Sequence, residues 1–285
     1  MNIFASLFEM LKETKSFHAH SKHFHAFSSE VCTKLIEQSG FSSNEEVAVD
    51  FGPFGHIVFP YYSMGNIDSL KLFGLDELIL FSFYHANQCR YKRTADMGAN
   101  IGLHSILMSR LGWHVTAFEP DPIHVAKIKQ HAELNSISTI NIRENAVSNE
   151  SGTLVFTRLK GNRTGSHLKG KKSNVYGDID EFEVQCVALT DVMAEFDFIK
   201  MDIEGAEVDA ICSTSKQHWQ NTDMMLEVGS EENACRILKH IHELELHAYS
   251  QKMGWRKVEN INHMPFGYKE GSLFISAQAQ LVWDI

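Results

Sequence analysis

The pattern of hydrophobic and polar positions changes near residue 90. Beyond that point, short apolar runs alternate with helical segments, an order typical of an α/β fold with a mainly parallel sheet. The pattern predicts strands ending at Met97, spanning His114–Phe118 and spanning Thr139–Arg143, and helices over 101–111, 122–135 and 231–244. Later strands are predicted in the runs GTLVFTRL, EFEVQCVAL, FDFIKMD, DMMLEV, HAYSQKMGWRKV and GSLFISAQ.

The first 90 residues predict a helical and hairpin cap, followed by one α/β domain over 91–285. Apolar side chains recur at helical spacing over 2–15, at Ile3, Phe4, Leu7, Phe8 and Leu11. A short hairpin is predicted in VAVDFGPFGHIVFPYY and a buried helix in LDELILFSFYHANQ. We expect the first helix to dock on the core or on a second subunit of a homodimer. Its polar face mixes Glu with Lys, which disfavours binding to a membrane surface.

The turn after the first α/β strand carries the chemistry. It is D-M-G-A-N-I-G, in which Gly98 and Gly102 allow a ligand to approach the backbone closely and the chain to turn into a helix. Asp96 precedes the first glycine by two residues and can reach the ligand side of the turn. Glu119 ends the next strand, 21 residues after Gly98, the usual distance for an acid that binds a ribose diol.

The glycine spacing discriminates between two cofactors. A dinucleotide fingerprint needs G-x-G-x-x-G so that a pyrophosphate can lie on the helix N-terminus. Here the middle glycine is missing and an acid stands beside the turn, where it would repel a pyrophosphate but attract an ammonium group. The turn therefore favours S-adenosyl-L-methionine over NAD.

Net charge, cysteine spacing and the length of apolar runs argue against several classes of protein. The formal net charge of −10 argues against sequence-independent nucleic-acid binding, because neutralising phosphates needs surplus Lys and Arg. Five widely spaced cysteines without a C-x-x-C pair predict neither a disulfide framework nor a cysteine zinc site, and they suit a reducing, cytoplasmic location. We expect no membrane span and no secretory signal, because no apolar run approaches 18 residues and the N-terminus lacks a basic leader.

The segment FHAHSKHFHAF contains His18, His20, His23 and His25. Their spacing of two, three and two fits neither one helical face nor a rigid turn that binds metal. We predict a solvated, incidental cluster and no metal site.

Four sequence motifs within roughly residues 93–228 resemble the FkbM family of S-adenosylmethionine-dependent methyltransferases. They are the glycine turn, EPDP, NAVS and IKMDIEGAE after an apolar strand. The resemblance implies a Rossmann-like, seven-stranded sheet with a reversed final strand and helices on both faces. It also implies O-methylation of hydroxyls on sugars or polyketide-like natural products.

The resemblance also implies a set of donor-binding residues. Those at the amino-acid end of the donor are Asp96, Gly98, Asn100 and Gly102. Glu119 would bind the ribose, and the residues beside the adenine would be Pro120, Asp121, Asn145 and Ala146. An amide can pair with adenine and Ala leaves room for the flat base, although Glu144 could take that pairing instead.

Methyl transfer to an aliphatic hydroxyl needs help with the acceptor's proton. Asp202 closes an apolar strand at the expected ligand edge, where an acid is otherwise costly, and Glu204 follows it. Glu207 is better explained as a helix-terminal acid.

His167 and His104 are alternative bases. A second alternative is Mg²⁺ or Ca²⁺ held by carboxylates, at Asp202, Glu204 and Glu227.

The loop LKGNRTGSHLKGKKSNVYGD concentrates basic residues, at Lys160, Arg163, Lys169, Lys171 and Lys172. It is either a solvated loop or a lid that attracts an anionic acceptor.

The leading prediction for the whole chain is an O-methyltransferase for a saccharide-like or natural-product small molecule. An NAD-dependent oxidoreductase and a non-catalytic donor-binding module are the alternatives.

Overall fold

The computed structural model describes residues 2–159, 165–170, 178–281 and 283. The chain begins with α1 (Ile3–Glu13) and α2 (His23–Glu37), the antiparallel pair β1 (Ala48–Asp50) and β2 (His56–Val58), and then α3 (Leu75–Ala86). The predicted first helix, hairpin and buried helix are therefore present, whereas α2 was not predicted. In α1 the apolar side chains Phe4, Leu7, Phe8 and Leu11 are buried, whereas Ile3 points outward and is 60% exposed.

The α/β part follows the predicted alternation closely. Its first half contains β3 (Arg93–Met97), α4 (Leu103–Arg110), β4 (His114–Phe118), α5 (Pro122–Leu134) and β5 (Ile140–Arg143). Asp121 begins α5 by accepting a hydrogen bond from the Ile123 amide at 2.8 Å, and Pro122 occupies the first turn. These local signals explain why the predicted helix start agrees with the observed one.

A second sheet branches from the main one after β5. It contains β6 (Asn145–Ser148), β7 (Gly152–Leu159), β8 (His167–Leu168) and β9 (Ile179–Ala188), in the order β6-β9-β7-β8. The predicted pairing of GTLVFTRL with EFEVQCVAL is confirmed as the antiparallel pair β7–β9.

The remaining elements complete the main sheet. They are α6 (Leu189–Val192), β10 (Phe198–Met201), α7 (Glu207–Cys212), β11 (Asp223–Glu227), α8 (Glu231–Glu243), β12 (His247–Ser250), β13 (Arg256–Lys257) and β14 (Ser272–Ser276). The sheet order is β13-β12-β14-β11-β10-β3-β4-β5. Strands β11, β10, β3, β4 and β5 are parallel, and β14 is antiparallel to both β11 and β12. The α/β, Rossmann-like fold with a reversed late strand is confirmed, with eight strands rather than seven because the two-residue β13 adds an edge.

Two apolar cores cover the faces of this sheet. One contains Met97, Ile199 and Ile211, below α7 and α8. The other joins Phe198 and Met225 of the sheet to buried side chains of the N-terminal region. Residues 2–90 therefore share a continuous core with the sheet. No helix in the described part of the chain is both long and apolar enough to cross a bilayer.

The predicted solvation of the histidine cluster is wrong for two of its members. His18 and His25 are buried, His20 is partly buried, and only His23 is exposed. The reason is tertiary: the cluster packs against α3 and the C-terminal part of the chain, where the indole of Trp255 donates to Nδ1 of His18 at 3.0 Å.

Candidate active site

The glycine turn brings three strands together at their carboxyl ends. The amides of Gly98 and Ala99 both donate to the carbonyl oxygen of Phe118, at 3.0 Å each, which joins β3 to β4. Gly98 has a φ of +78°, and a Cβ built on it would lie 1.8 Å from the carbonyl oxygen of Asp202 at the end of β10. Only glycine fits this contact. Gly102 has a different role, because a Cβ built on it would lie 3.1 Å from Cγ1 of Ile128, and its absence leaves room for α5 beside the start of α4.

The carboxylate of Glu119 is fixed at the end of β4 and is only 5% exposed. Its Oε2 accepts from the amide of Asn100 and its Oε1 accepts from the amide of Asp121, both at 2.9 Å. Each carboxylate oxygen can accept more than one hydrogen bond, so acceptor capacity remains for a ligand. Glu119 and Pro120 line a cavity of about 370 Å³, together with Asn100.

Asp121 does not line this cavity, although it was predicted to lie beside the adenine. It is fully buried and receives two hydrogen bonds from the guanidinium of Arg158, at 2.6 Å each. Burial by itself would raise the pKa of Asp121, but the hydrogen bonds and charge of Arg158, the charge of His124 and the Ile123 amide together outweigh burial and lower the pKa. The pair ties β7 of the second sheet to the start of α5.

The second sheet supplies one side of the cavity. Ala146, Val147 and Phe156 line it, so the predicted Ala146 is in place. Asn145 does not line the cavity, and its side-chain amide donates to the carbonyl of Gln185 at 3.5 Å. Glu144 is exposed and pairs with Lys129 at 2.8 Å.

Acidic side chains surround the opposite side of the cavity. Asp202, Glu204 and Glu227 line it, and so does Glu77, which comes from α3. Burial raises the pKa of Glu227, and the negative charges of Asp202 and Glu77 raise it further. Glu204 has a φ of +57°, which shows that the chain turns tightly immediately after β10.

Lys200 lies behind this acidic wall. Its Nζ is 3.6 Å from Asp202, 3.7 Å from Asp96 and 3.5 Å from the carbonyl oxygen of Gly98. Burial opposes its charge, but four nearby carboxylates together outweigh burial and raise the pKa of Lys200, namely those of Asp202, Asp96, Glu77 and Glu227. Asp96 has no exposed surface and does not line the cavity. Its Oδ2 accepts from Ser105 at 2.6 Å, so it supports the turn from behind.

The two predicted histidine bases do not line the cavity. His167 is buried, and its Nδ1 donates to the carbonyl of Gly165 at 2.9 Å, although its neighbours Ser166 and Leu168 do line the cavity. His104 lies between the hydroxyl of Tyr84 (2.8 Å) and the carboxylate of Glu77 (3.0 Å). It therefore positions a cavity-lining acid and does not face the cavity itself.

Asp202, Glu204 and Glu227 do not form a metal site in this geometry. Within the described ranges, only His20, His25 and Asp76 bring three ligand atoms close enough together to hold one ion.

Of the predicted basic loop, Lys169 is described and pairs with Glu181 at 2.8 Å. Lys160, Arg163, Lys171 and Lys172 lie outside the described residues.

Glu77, Lys200 and Phe156 were not among the predicted site residues. Lys200 carried a signal, since it is the only charge between the apolar residues of β10. No sequence signal pointed to Glu77, because it belongs to a helix predicted to be buried and lies outside the methyltransferase motifs of residues 93–228. Of the predicted residues, those that line the cavity are Gly98, Asn100, Glu119, Pro120, Ala146, Asp202 and Glu204. Those that do not are Asp96, Gly102, Asp121, Asn145, His167 and His104, whereas Glu227, predicted only as an alternative metal ligand, does line it.

Comparison with known proteins shows which family the chain is similar to. The chain is 28% identical over 194 residues to "Methyltransferase sdnD" of Sordaria araneosa, covering 56% of this chain and 74% of that protein. It is 26% identical over 150 residues to "Methyltransferase 1" of Beauveria bassiana, covering 45% and 60%. The solved structure of human methyltransferase 10 domain containing protein superposes with a TM-score of 0.42 and 15% identity, over 89% of this chain and 96% of that one. Residues 96–260 match the methyltransferase FkbM domain, and the chain belongs to this family of methyltransferases.

Proposed function

We propose that this methyltransferase uses S-adenosyl-L-methionine to methylate a hydroxyl of a saccharide or natural-product-like small molecule. The observation that carries the proposal is the carboxylate of Glu119. Two backbone amides hold it at the edge of the cavity, in the position expected for an acid that accepts from a ribose diol. The donor's adenosine would then extend along Pro120 and Ala146 toward Phe156.

The acids at the other end suit the charges of this donor. Its sulfonium and ammonium groups are cations, and Glu77, Asp202 and Glu227 place carboxylates around the space they would occupy. The pyrophosphate of NAD would meet the same carboxylates and be repelled. This favours a methyl donor over a nicotinamide cofactor.

The reaction is an in-line displacement at the sulfonium methyl group. The acceptor oxygen forms a bond to the methyl carbon while the sulfur–carbon bond breaks, and sulfur keeps the electron pair as a neutral thioether. The hydroxyl proton must leave the acceptor, and Asp202 or Glu204 is the carboxylate we assign as its base. Lys200 would hold Asp202 in place without contacting the acceptor.

The same acidic lining bears on the charge of the acceptor. A phosphorylated or acidic sugar would approach several carboxylates, whereas Lys71 is the one cationic Lys or Arg side chain among the lining residues that the structure describes. A neutral hydroxyl acceptor fits this part of the site better than an anionic one. A preference for an anionic acceptor would have to come from the basic loop.

The test separates donor binding from chemistry. Calorimetry with S-adenosylhomocysteine, NAD and NADP should show binding of the first only. With a panel of neutral and phosphorylated saccharides, Asp202→Asn should lower turnover by about 10²-fold or more and change donor affinity much less. Glu204→Gln, made in parallel, decides which carboxylate is the base, and the exposed Asp191→Asn is the control. Donor binding without turnover on any acceptor would favour a non-catalytic module.

A further inference from the structure

His20 and His25 direct their side chains at one oxygen of Asp76. Their rings stack with centroids 4.0 Å apart and an interplanar angle of 25°. The Nε2 atoms lie 2.9 Å (His20) and 3.1 Å (His25) from the same Oδ1 of Asp76. We propose that these three side chains form a binding site for a divalent transition metal of the zinc class, separate from the methyl-transfer cavity.

Two distant parts of the chain build this site. His25 is in the first turn of α2, His20 is in the turn before that helix, and Asp76 is in the first turn of α3. Asp76 follows His20 by 56 residues and His25 by 51 residues, so the fold and not a local sequence repeat brings the three side chains together. His25 is buried, whereas the side chains of His20 and Asp76 are 25% and 37% exposed. An ion could therefore enter from the solvent side.

A fourth residue orients the carboxylate. The side-chain amide of Gln251 donates to Oδ1 of Asp76 at 2.5 Å, and its carbonyl oxygen accepts from the amide of Ser272 at 3.0 Å. The second bond fixes which end of the amide faces Asp76. Carboxylate and imidazole ligands are commonly held in this way by neighbouring hydrogen bonds, which set their direction toward a metal.

The donor set selects the class of ion. Two imidazole nitrogens with one carboxylate suit Zn²⁺ and neighbouring transition metals, whereas Mg²⁺ and Ca²⁺ prefer oxygen ligands throughout. With metal–ligand bonds of about 2.0–2.1 Å, atoms separated by 2.9 and 3.1 Å subtend roughly 87–102° at the ion. That angle leaves positions for water ligands on the open side.

Metal binding requires the lone pair of each Nε2 atom, so the ring proton must be on Nδ1. Among the described residues, neither His20 nor His25 makes a hydrogen bond through Nδ1, so each ring can adopt this tautomer. The ion would then join α2 to the start of α3. The residue after Asp76 is Glu77, which lines the methyl-transfer cavity, so the site would anchor one wall of that cavity.

The experiment uses the full chain, free of any histidine tag and stripped with EDTA. Zn²⁺ is titrated by calorimetry, bound zinc is counted by mass spectrometry, and melting is followed with and without Zn²⁺. We expect one zinc per chain and a higher Tm with zinc. His25→Gln, and separately His20→Gln at the partly buried position, should weaken zinc binding at least about tenfold and remove the Tm shift.

His23→Gln is the matched control, because His23 lies in the same segment but is exposed. It should bind zinc like the parent. The proposal is overturned if the parent binds no stoichiometric zinc, or if either ligand variant binds it as tightly as the parent. Equal weakening by His23→Gln would assign the binding to the exposed histidine-rich segment and would also overturn it. None of these readouts depends on methyl transfer, so the result is independent of the proposed activity.

Discussion

The backbone of Gly98 contacts the backbone of Asp202 so closely that a Cβ on Gly98 would lie 1.8 Å from the carbonyl oxygen of Asp202. This contact joins the glycine turn to the end of β10, where Asp202, the candidate base, follows the strand. Gly98→Ala must therefore push the two apart, because the clash is with backbone and not with a movable side chain. We expect affinity for S-adenosylhomocysteine to fall at least about tenfold, or about 1.4 kcal/mol, measured by calorimetry.

Gly112→Ala is the control for this substitution. Gly112 also has a positive φ, +86°, but a Cβ there meets nothing within 4 Å. It should cost stability through backbone strain alone, about 1–2 kcal/mol, and leave donor affinity at the parental value. If the two variants bind S-adenosylhomocysteine equally well, the close contact is not needed for donor binding.

Glu119→Gln tests the ribose position. A glutamine keeps the size of the side chain, but its NH₂ group must face either the amide of Asn100 or the amide of Asp121, both of which now donate to the carboxylate. Loss of the charged acceptor should raise the dissociation constant for S-adenosylhomocysteine at least about tenfold, since hydrogen bonds to a charged group contribute about 1.5–3 kcal/mol. Unchanged affinity in a folded variant would contradict the assignment.

Glu144→Gln serves as the control for Glu119. Glu144 follows the neighbouring strand β5, but its side chain is exposed and pairs with Lys129. It is also the alternative partner for adenine that the sequence leaves open. Parental affinity in this variant would remove that alternative, and a loss equal to that of Glu119→Gln would support it.

Local signals were enough to predict most of the α/β part. The strand His114–Phe118 agrees with the observed β4 because an apolar run is bounded by a Gly turn and by Glu119. The prediction of HAYSQKMGWRKV as one strand is wrong, because a helical turn at Gln251–Met253 and the left-handed Gly254 reverse the chain, so β12 and the two-residue β13 pair antiparallel. The cavity-lining residues Gly98 and Glu119 were also predictable, because strand, turn and helix position them locally.

Contacts between distant segments could not be predicted in the same way. Lys200 stands out within an apolar strand, but its partner Asp96 lies on another strand and is brought beside it only by the parallel pairing of β10 with β3. The histidine segment was misjudged for a similar reason. Its spacing fits no single helix face, and the carboxylate that both rings approach, Asp76, belongs to α3.

Phe51→Ala tests whether the N-terminal region and the sheet, which share one core, unfold together. The ring of Phe51 is fully buried and contacts the rings of Phe4, Phe8 and Phe81. Removing it should lower the free energy of unfolding by about 3–5 kcal/mol. Urea denaturation should show a single transition for both regions. Phe27→Ala, at a position 70% exposed on α2, should change stability by no more than about 0.5 kcal/mol. Two separate transitions would show that residues 1–90 fold as an independent unit.

Glu207 should make stability depend on pH in the acid range. Its carboxylate accepts from the amides of Ile203 and Gly205, at 2.8 Å each. Burial, and then the charge of Asp202, outweigh these bonds and raise the pKa of Glu207 from 4.5 to about 7. The folded protein therefore binds more protons than the unfolded chain between these values, and this contribution to stability is lost as pH rises from about 4.5 to about 7. His131 acts in the opposite direction, because burial lowers its pKa to about 4.

Glu207→Gln isolates the contribution of the carboxylate from that of His131. The variant loses one hydrogen bond to the backbone, which lowers stability at every pH by about 1–3 kcal/mol. As pH rises from 5 to 7.5 the parent loses the contribution of Glu207 to its free energy of unfolding, whereas the variant has none to lose. The gap between the two free energies of unfolding should therefore narrow by about 1–3 kcal/mol, since each pKa unit corresponds to about 1.4 kcal/mol. Urea denaturation at a series of pH values measures this difference, and Glu133→Gln, at an exposed position of α5, should follow the parent. A difference between Glu207→Gln and the parent that stays constant with pH would show that Glu207 does not titrate in this range.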